Sequence, residues 1–206
     1  MLVLGPELLF FDSERRVPDP TLDYDEHGDV CEVSLFSSTR GHLLTTLVHP
    51  RKTDPEDFRK LGYPEASLKA APPFTQVSRQ LKAEMAGKEV WCWNLAHEAR
   101  LFPWITEIGE SGLPLYRMQC LITRSAPYIN GWTSRYGCYK WPKQTQVADI
   151  FGLKYSNPGP HQATADAQMC HDILACLQRT ELVWVDPRER GQELMLVHDE
   201  SSDFVF

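Results

Sequence analysis

Leu8-Leu9-Phe10-Phe11-Asp12-Ser13-Glu14 is the stretch whose reading decides the fold. Four bulky apolar residues in succession fit a central strand covered on both faces; a half-exposed strand would alternate. The run stops at Asp12, so the two acids are expected at the carboxyl end of that strand. Residues two apart on a strand face the same way, which sends both carboxylates to one side. There they repel each other unless something positive lies between them, and a divalent cation answers that conflict. A solvated acidic turn has the same letters, and this stretch alone leaves both readings open.

Working outward, the Pro/Asp/Gly-rich segment from Val17 to Asp29 reads as a loop. Val30 to Ser37 alternates as a strand, Arg40-Gly41 signals a turn, and Leu43 to His49 gives a third strand. Together these predict an antiparallel meander. Phe74, Val77, Leu81 and Met85 recur at three or four, one face of a helix that starts after Pro72-Pro73 and ends at Gly87. Val90 to Trp93 is a short buried strand, and Ala96 to Glu107 a helix that Pro103 kinks or divides. Leu115 to Ile122 reads as a strand, Ala126 to Pro142 as loop or short helical pieces, and Thr145 to Phe151 as a helix closed by Gly152. The last strong helix spans Gln162 to Leu177, with Ala165, Met169, Ile173 and Leu177 on its buried face. Apolar runs at Leu182 to Val185 and Leu194 to Val197 suit a peripheral hairpin that covers a sheet edge or forms a dimer contact.

The order of elements predicts one α/β domain over residues 1–180 and a C-terminal extension over 181–206. At 206 residues one domain is expected. A content of 42% hydrophobic and 24% charged residues argues against extended disorder. No apolar run is long enough to span a bilayer, and Met1 to Phe11 lacks the basic flank of a signal peptide. The 21 Lys and Arg against 28 Asp and Glu give a net charge of −7, which argues against wrapping nucleic acid by charge alone. It does not exclude a nucleic-acid enzyme whose carboxylates hold divalent cations, because bound metals reverse the local field. Six scattered cysteines without C-x-x-C spacing read as reduced thiols of a cytoplasmic protein and argue against a zinc site.

Two further clusters carry chemistry. Asn94-Leu-Ala-His-Glu98 follows the buried strand, which would deliver Asn94 and Glu98 to the same sheet edge as Asp12. An ordinary helix start, with Asn94 as cap and Glu98 favouring the dipole, is the competing reading. His161-Gln-Ala-Thr-Ala-Asp166-Ala167 places His161 at the mouth of a helix and Asp166 about one turn inside. Its alanines permit close approach to the sheet, and a buried Asp there is costly unless paired or metal-bound; a cap-region His161 with an exposed Asp166 is the competing reading.

Phe11-Asp12-Ser13-Glu14, Asn94 with Glu98, and the His-x-Ala-x-x-Asp-Ala run at 161–167 resemble, in order and spacing, the three motifs of the DEDDh (DnaQ-like) 3′-5′ exonucleases. The likeness covers about residues 7 to 178 and includes Leu61-Gly62-Tyr63, Ala71 to Phe74 and Leu81 before the second motif. Val147, Ala148, Phe151 and Gly152 match the short helix before the third. The resemblance implies an RNase H-like fold: a mixed five-stranded sheet, an antiparallel meander plus parallel strands, flanked by helices. It also implies two divalent cations, Mg²⁺ or Mn²⁺, held by Asp12, Glu14, Glu98 and Asp166. Asp12 would bridge both, Glu14 and Asp166 would hold the one that activates water, and His161 would be the general base. Glu98 stands where the family usually has Asp, and Arg15 where Thr is common.

The implied activity is hydrolysis from the 3′ end of single-stranded nucleic acid, DNA ahead of RNA, with release of nucleoside 5′-monophosphates. A nucleic-acid-binding or scaffold module with impaired catalysis is the alternative. Arg15 and Asn94 flank the motifs as candidate contacts to the terminal nucleotide. Trp132, Arg135, Tyr136, Tyr139, Lys140 and Lys143 interleave bases and aromatics, a pattern suited to single strands as well as to a packed loop.

Overall fold

The computed structural model describes residues 7–16, 29–50, 62–129, 132–133, 138–139, 141–154 and 162–179. Three strands open the chain: β1 (Leu8–Arg16), β2 (Asp29–Ser37) and β3 (Gly41–Leu47). Helices α1 (Glu65–Ala70) and α2 (Phe74–Met85) precede β4 (Glu89–Cys92). Then come α3 (Leu95–Leu101), a 3₁₀ turn over Pro103–Thr106, β5 (Arg117–Cys120) and α4 (Leu121–Ile129). A two-stranded ladder of β6 (Trp132–Thr133) and β7 (Cys138–Tyr139) leads to α5 (Gln144–Ile150) and α6 (Ala163–Arg179).

The main sheet has the order β3-β2-β1-β4-β5. β1 pairs antiparallel with β2, and β2 with β3, which is the expected meander. β4 and β5 add on the other side in parallel. This is the mixed five-stranded sheet implied by the resemblance.

The apolar run of β1 is buried from both sides. Leu9 and Phe11 join Val33, Leu35 and Val90 in a core closed by Val77, Leu81 and Met85 of α2 and by Phe102 and Ile105. Phe10 points to the opposite face, among Leu121, Val147, Ala148, Met169, Cys170 and Ile173. Alternation along one strand thus feeds two cores, and helices cover both faces. Phe10 and Phe11 are core residues, at 1% and 0% exposure.

Several expected boundaries move, each for a local reason. β1 continues through Arg16, so Asp12 and Glu14 lie inside the strand, not at its end. Its ladder with β2 runs from Leu9↔Ser37 to Arg16↔Asp29, whereas its parallel pairing with β4 stops at Phe11↔Cys92. Beyond Phe11, among the described residues, β1 pairs with β2 alone, so Asp12 and Glu14 lie past the carboxyl end of the parallel pairing with β4. Open α/β sheets place ligands at that position. The expected strand from Leu115 is confined to Arg117–Cys120, and α4 begins at Leu121, within that expected strand, and runs to Ile129 in the stretch read as loop or short helical pieces. Leu121 and Ile122 are buried as helix, not strand: a short apolar run does not by itself tell the two apart.

Helix α1 has no counterpart in the sequence reading; at six residues it is too short for a period to register. Pro103 does divide its helix, since it lacks the amide that would continue the ladder. Gly87 at φ 70° ends α2 and Gly152 at φ 65° follows α5, both in the left-handed region that a side chain disfavours. The buried face of α6 includes Ala163, Asp166 and Ala167, while Ala165 is only half-buried. The expected loop before residue 29 and the C-terminal hairpin lie outside the described residues. No described helix is long and apolar enough to cross a membrane.

Candidate metal centre

Asp12 and Glu14 leave β1 on the face covered by α6. The register shows it: Asp12 stands opposite Ser34 and Glu14 opposite Glu32, on the same side as Phe10 opposite Phe36. Asp166, one turn into α6, meets them there. Carboxylate oxygens of Asp12, Glu14 and Asp166 all lie within 4.8 Å of one another. Strand spacing and helix onset, two separate sequence signals, therefore converge on one point.

The electrostatics of this trio are those of groups lacking a counter-charge. Burial, followed by repulsion from Glu98, Asp166 and Glu14, pushes Asp12 well above the usual carboxylate range. Burial and then Asp166 raise Glu14 to about 8. Burial raises Asp166 to about 6, against a hydrogen bond from Glu14 that lowers it. Asp166 Oδ1 is buried and has no hydrogen-bond partner. Three hard oxygen donors at this spacing, one unclaimed by protein, fit a hard divalent cation and do not suit a soft, thiolate-bound metal.

Glu98 is placed differently. It lies on α3, 3% exposed, and its Oε2 accepts a 2.7 Å hydrogen bond from Ser13 Oγ. Ser13 points to the opposite face of β1 from Asp12 and Glu14. Burial raises Glu98 to about 8, against the lowering effects of Ser13 and Arg15. Glu98 adds to the negative potential at Asp12 but is not one of the three that meet. Arg15 shares this side, where its charge also helps to lower His97 to about 4, after burial. Asn94 is the N-cap of α3, its side chain accepting from the His97 amide at 3.2 Å. Asn94 thus caps a helix, as the helix-start reading has it, while Glu98 acts on Asp12 through charge from the other side of β1.

Lys143 is exposed at the entry to α5, preceded by Trp141 at 62% exposure. The next residue, Gln144, donates to Asp166 O at 2.8 Å and to Cys170 Sγ at 3.4 Å, so this corner adjoins the acidic trio. Trp132 and Tyr139 stand opposite each other in the small ladder. His161, Arg135, Tyr136 and Lys140 lie outside the described residues.

Sequence reasoning missed two members of this neighbourhood. Glu32 reads as the solvent face of an alternating strand, yet it is 6% exposed because α6 covers that face. Its Oε2 accepts from the Tyr63 hydroxyl and from the Ala163 amide at 3.2 Å. Gln144 carried no motif at all. A usable signal existed for Glu32 alone: it stands in the strand that pairs with the acidic end of β1.

No family model and no curated protein matches this sequence. Solved structures do match in shape. A 3′-exonuclease recognising the histone mRNA stem-loop aligns with TM-score 0.56 and 12% identity over 84% of this chain; the chain spans 63% of that structure's length. The nuclease domain of 3′hExo, a DEDDh family member bound to rAMP, gives TM-score 0.54 and 15% identity over 84% of this chain and 92% of its own. The Neurospora crassa Pan2 catalytic unit gives 0.60 and 11% over 86% of this chain and 28% of its own. At such identities shape is what is shared: this chain has the fold of the DEDDh 3′-exonucleases.

Proposed function

We propose that this chain is a divalent-cation-dependent 3′-5′ exonuclease acting on single-stranded ends. The observation that carries the reading is the meeting of Asp12, Glu14 and Asp166 within 4.8 Å just past the parallel pairing of β1 with β4. Asp12, Glu14 and Asp166 would hold divalent cations, which when bound would neutralise charge on the scissile phosphate and make the attacking water more acidic. The chain's own part is to hold three carboxylates in place at the junction of β1 and α6. His161, two residues before α6, takes the water's proton; an ordinary imidazole pKa of about 6.5 suits that near neutral pH. Glu98, restrained by Ser13, deepens the negative potential from the far side of β1. Trp141 and Lys143 offer an exposed aromatic surface and a positive charge beside the acidic trio, features that suit a single strand.

RNA is named for the histone stem-loop exonuclease, which favours including RNA alongside DNA as a substrate. The test uses 5′-labelled single-stranded DNA and RNA of matched sequence with purified chain and Mn²⁺. Stepwise 3′ shortening is expected, and it is lost in Asp12→Ala and in His161→Ala. Undiminished shortening by both variants would reject the assignment. The absence of Glu98 from the trio favours one competing reading, a binding module with impaired chemistry, which predicts retention of the strand without shortening.

A further inference from the structure

One buried carboxylate in this region is unused by the reaction proposed above. Glu32 stands on β2 directly opposite Glu14, and a single oxygen, Oε2, receives both the Tyr63 hydroxyl and the Ala163 amide. Ala163 is the first residue of α6, and Asp166 lies in that same turn. The first amides of a helix have no acceptor within it. Ala163 is fully buried, so its amide depends on the protein for an acceptor, and Glu32 provides one.

Asp166 makes this matter. Its Oδ1 takes no hydrogen bond and its side-chain tie to Glu14 lies within the trio itself, so its approach to the trio follows from where the helix backbone sits. Gln144 ties that backbone from α5, at Asp166 O, and Thr164 meets Thr45 of β3 at 3.4 Å. Glu32 is the tie from β2, the strand that also sets the height of Asp12 and Glu14 through its ladder with β1. We infer that Glu32 is a positioning residue whose Oε2, steered by Tyr63, seats the first turn of α6 so that Asp166 meets Asp12 and Glu14. This deepens the metal-centre reading and rests on it. Glu32 acts as an acceptor, not as a ligand: it is not one of the three residues whose oxygens converge, and its Oε2 already serves two donors.

The test measures Mn²⁺ binding by calorimetry and amide exchange of the segment at 163–167, both on the full chain. Glu32→Gln keeps an oxygen acceptor and is expected to bind Mn²⁺ within about threefold of the parent with unchanged exchange. Glu32→Ala removes the acceptor; groups that orient metal ligands typically contribute about 10–100-fold in affinity, and that loss is expected with faster exchange. Parent-like binding and exchange in Glu32→Ala would overturn the inference. So would Glu32→Gln as damaged as Glu32→Ala, which would assign the role to charge. Should Glu32→Ala fail to fold, Tyr63→Phe decides, with smaller losses in the same direction expected and parent behaviour refuting. A parent chain that binds no Mn²⁺ sinks the metal reading, and the exchange comparison alone then decides on Glu32.

Discussion

Replacing Asp12 by Asn is expected to stabilise the metal-free chain while abolishing its response to metal. At 4.8 Å and an effective dielectric near 20, one carboxylate pair repels by about 3 kcal/mol. The new buried amide lacks the partners it would have in water, an offsetting cost of about 1 kcal/mol. The net gain in chelator at pH 8 is about 2 kcal/mol, or about 4–8 °C in melting temperature for a chain of this size. The gain depends on pH in a definite direction. Folded-state values raised to about 6 for Asp166 and about 8 for Glu14 and Glu98 mean that the parent takes up protons on folding. Its penalty is therefore absent below the unfolded-chain values near 4 and grows as pH rises through 6 to 8. The variant should accordingly melt slightly below the parent near pH 4, by the cost of its buried amide, and above it toward pH 8. Saturating Mn²⁺ reverses the order, since ligand at a hundred times its dissociation constant adds about 2.7 kcal/mol to the parent alone. Thermal melts in chelator and in Mn²⁺ across this range provide the assay. An Asp12→Asn chain that melts below the parent in chelator at pH 8, or that gains as much from Mn²⁺, refutes the reasoning.

Glu98→Gln preserves an acceptor for Ser13 and leaves the trio intact, so its Mn²⁺ affinity should fall by less than about tenfold, whereas Asp166→Asn loses binding, by calorimetry. Asn94→Ala removes the α3 cap and should cost about 1 kcal/mol in urea unfolding; a rise in KM without that loss would instead assign Asn94 to the substrate.

The fold was legible wherever burial imposes a clean period. Val77, Leu81 and Met85 mark α2 because one stripe faces the core, and the run at Leu8–Phe11 marks a strand packed on both sides. The trio was legible because strand period and helix onset are local rules that happen to aim at one point. What escaped depends on contacts between distant segments. Glu98 settles on the side of β1 to which Ser13 points, and its hydrogen-bond partner there is a residue with no motif value. Glu32 looks solvated until α6, more than a hundred residues later, covers it. The length of β1 beyond Phe11 depends on β2 pairing that outlasts β4, and a run of letters does not record which neighbour leaves first.

The alternation along β1 has a consequence for how this site can change over generations of mutation. Leu9, Phe11 and Ser13 face one helical layer and Phe10, Asp12 and Glu14 the other. Deleting one residue from Leu8–Phe11 would exchange every downstream side chain between layers, pushing acids into oil and phenyl rings into the site. Substitution can silence the acids one at a time; sliding cannot, because the same shift would dissolve both interiors. Lineages that lose the chemistry should therefore keep the length of this strand and alter its letters.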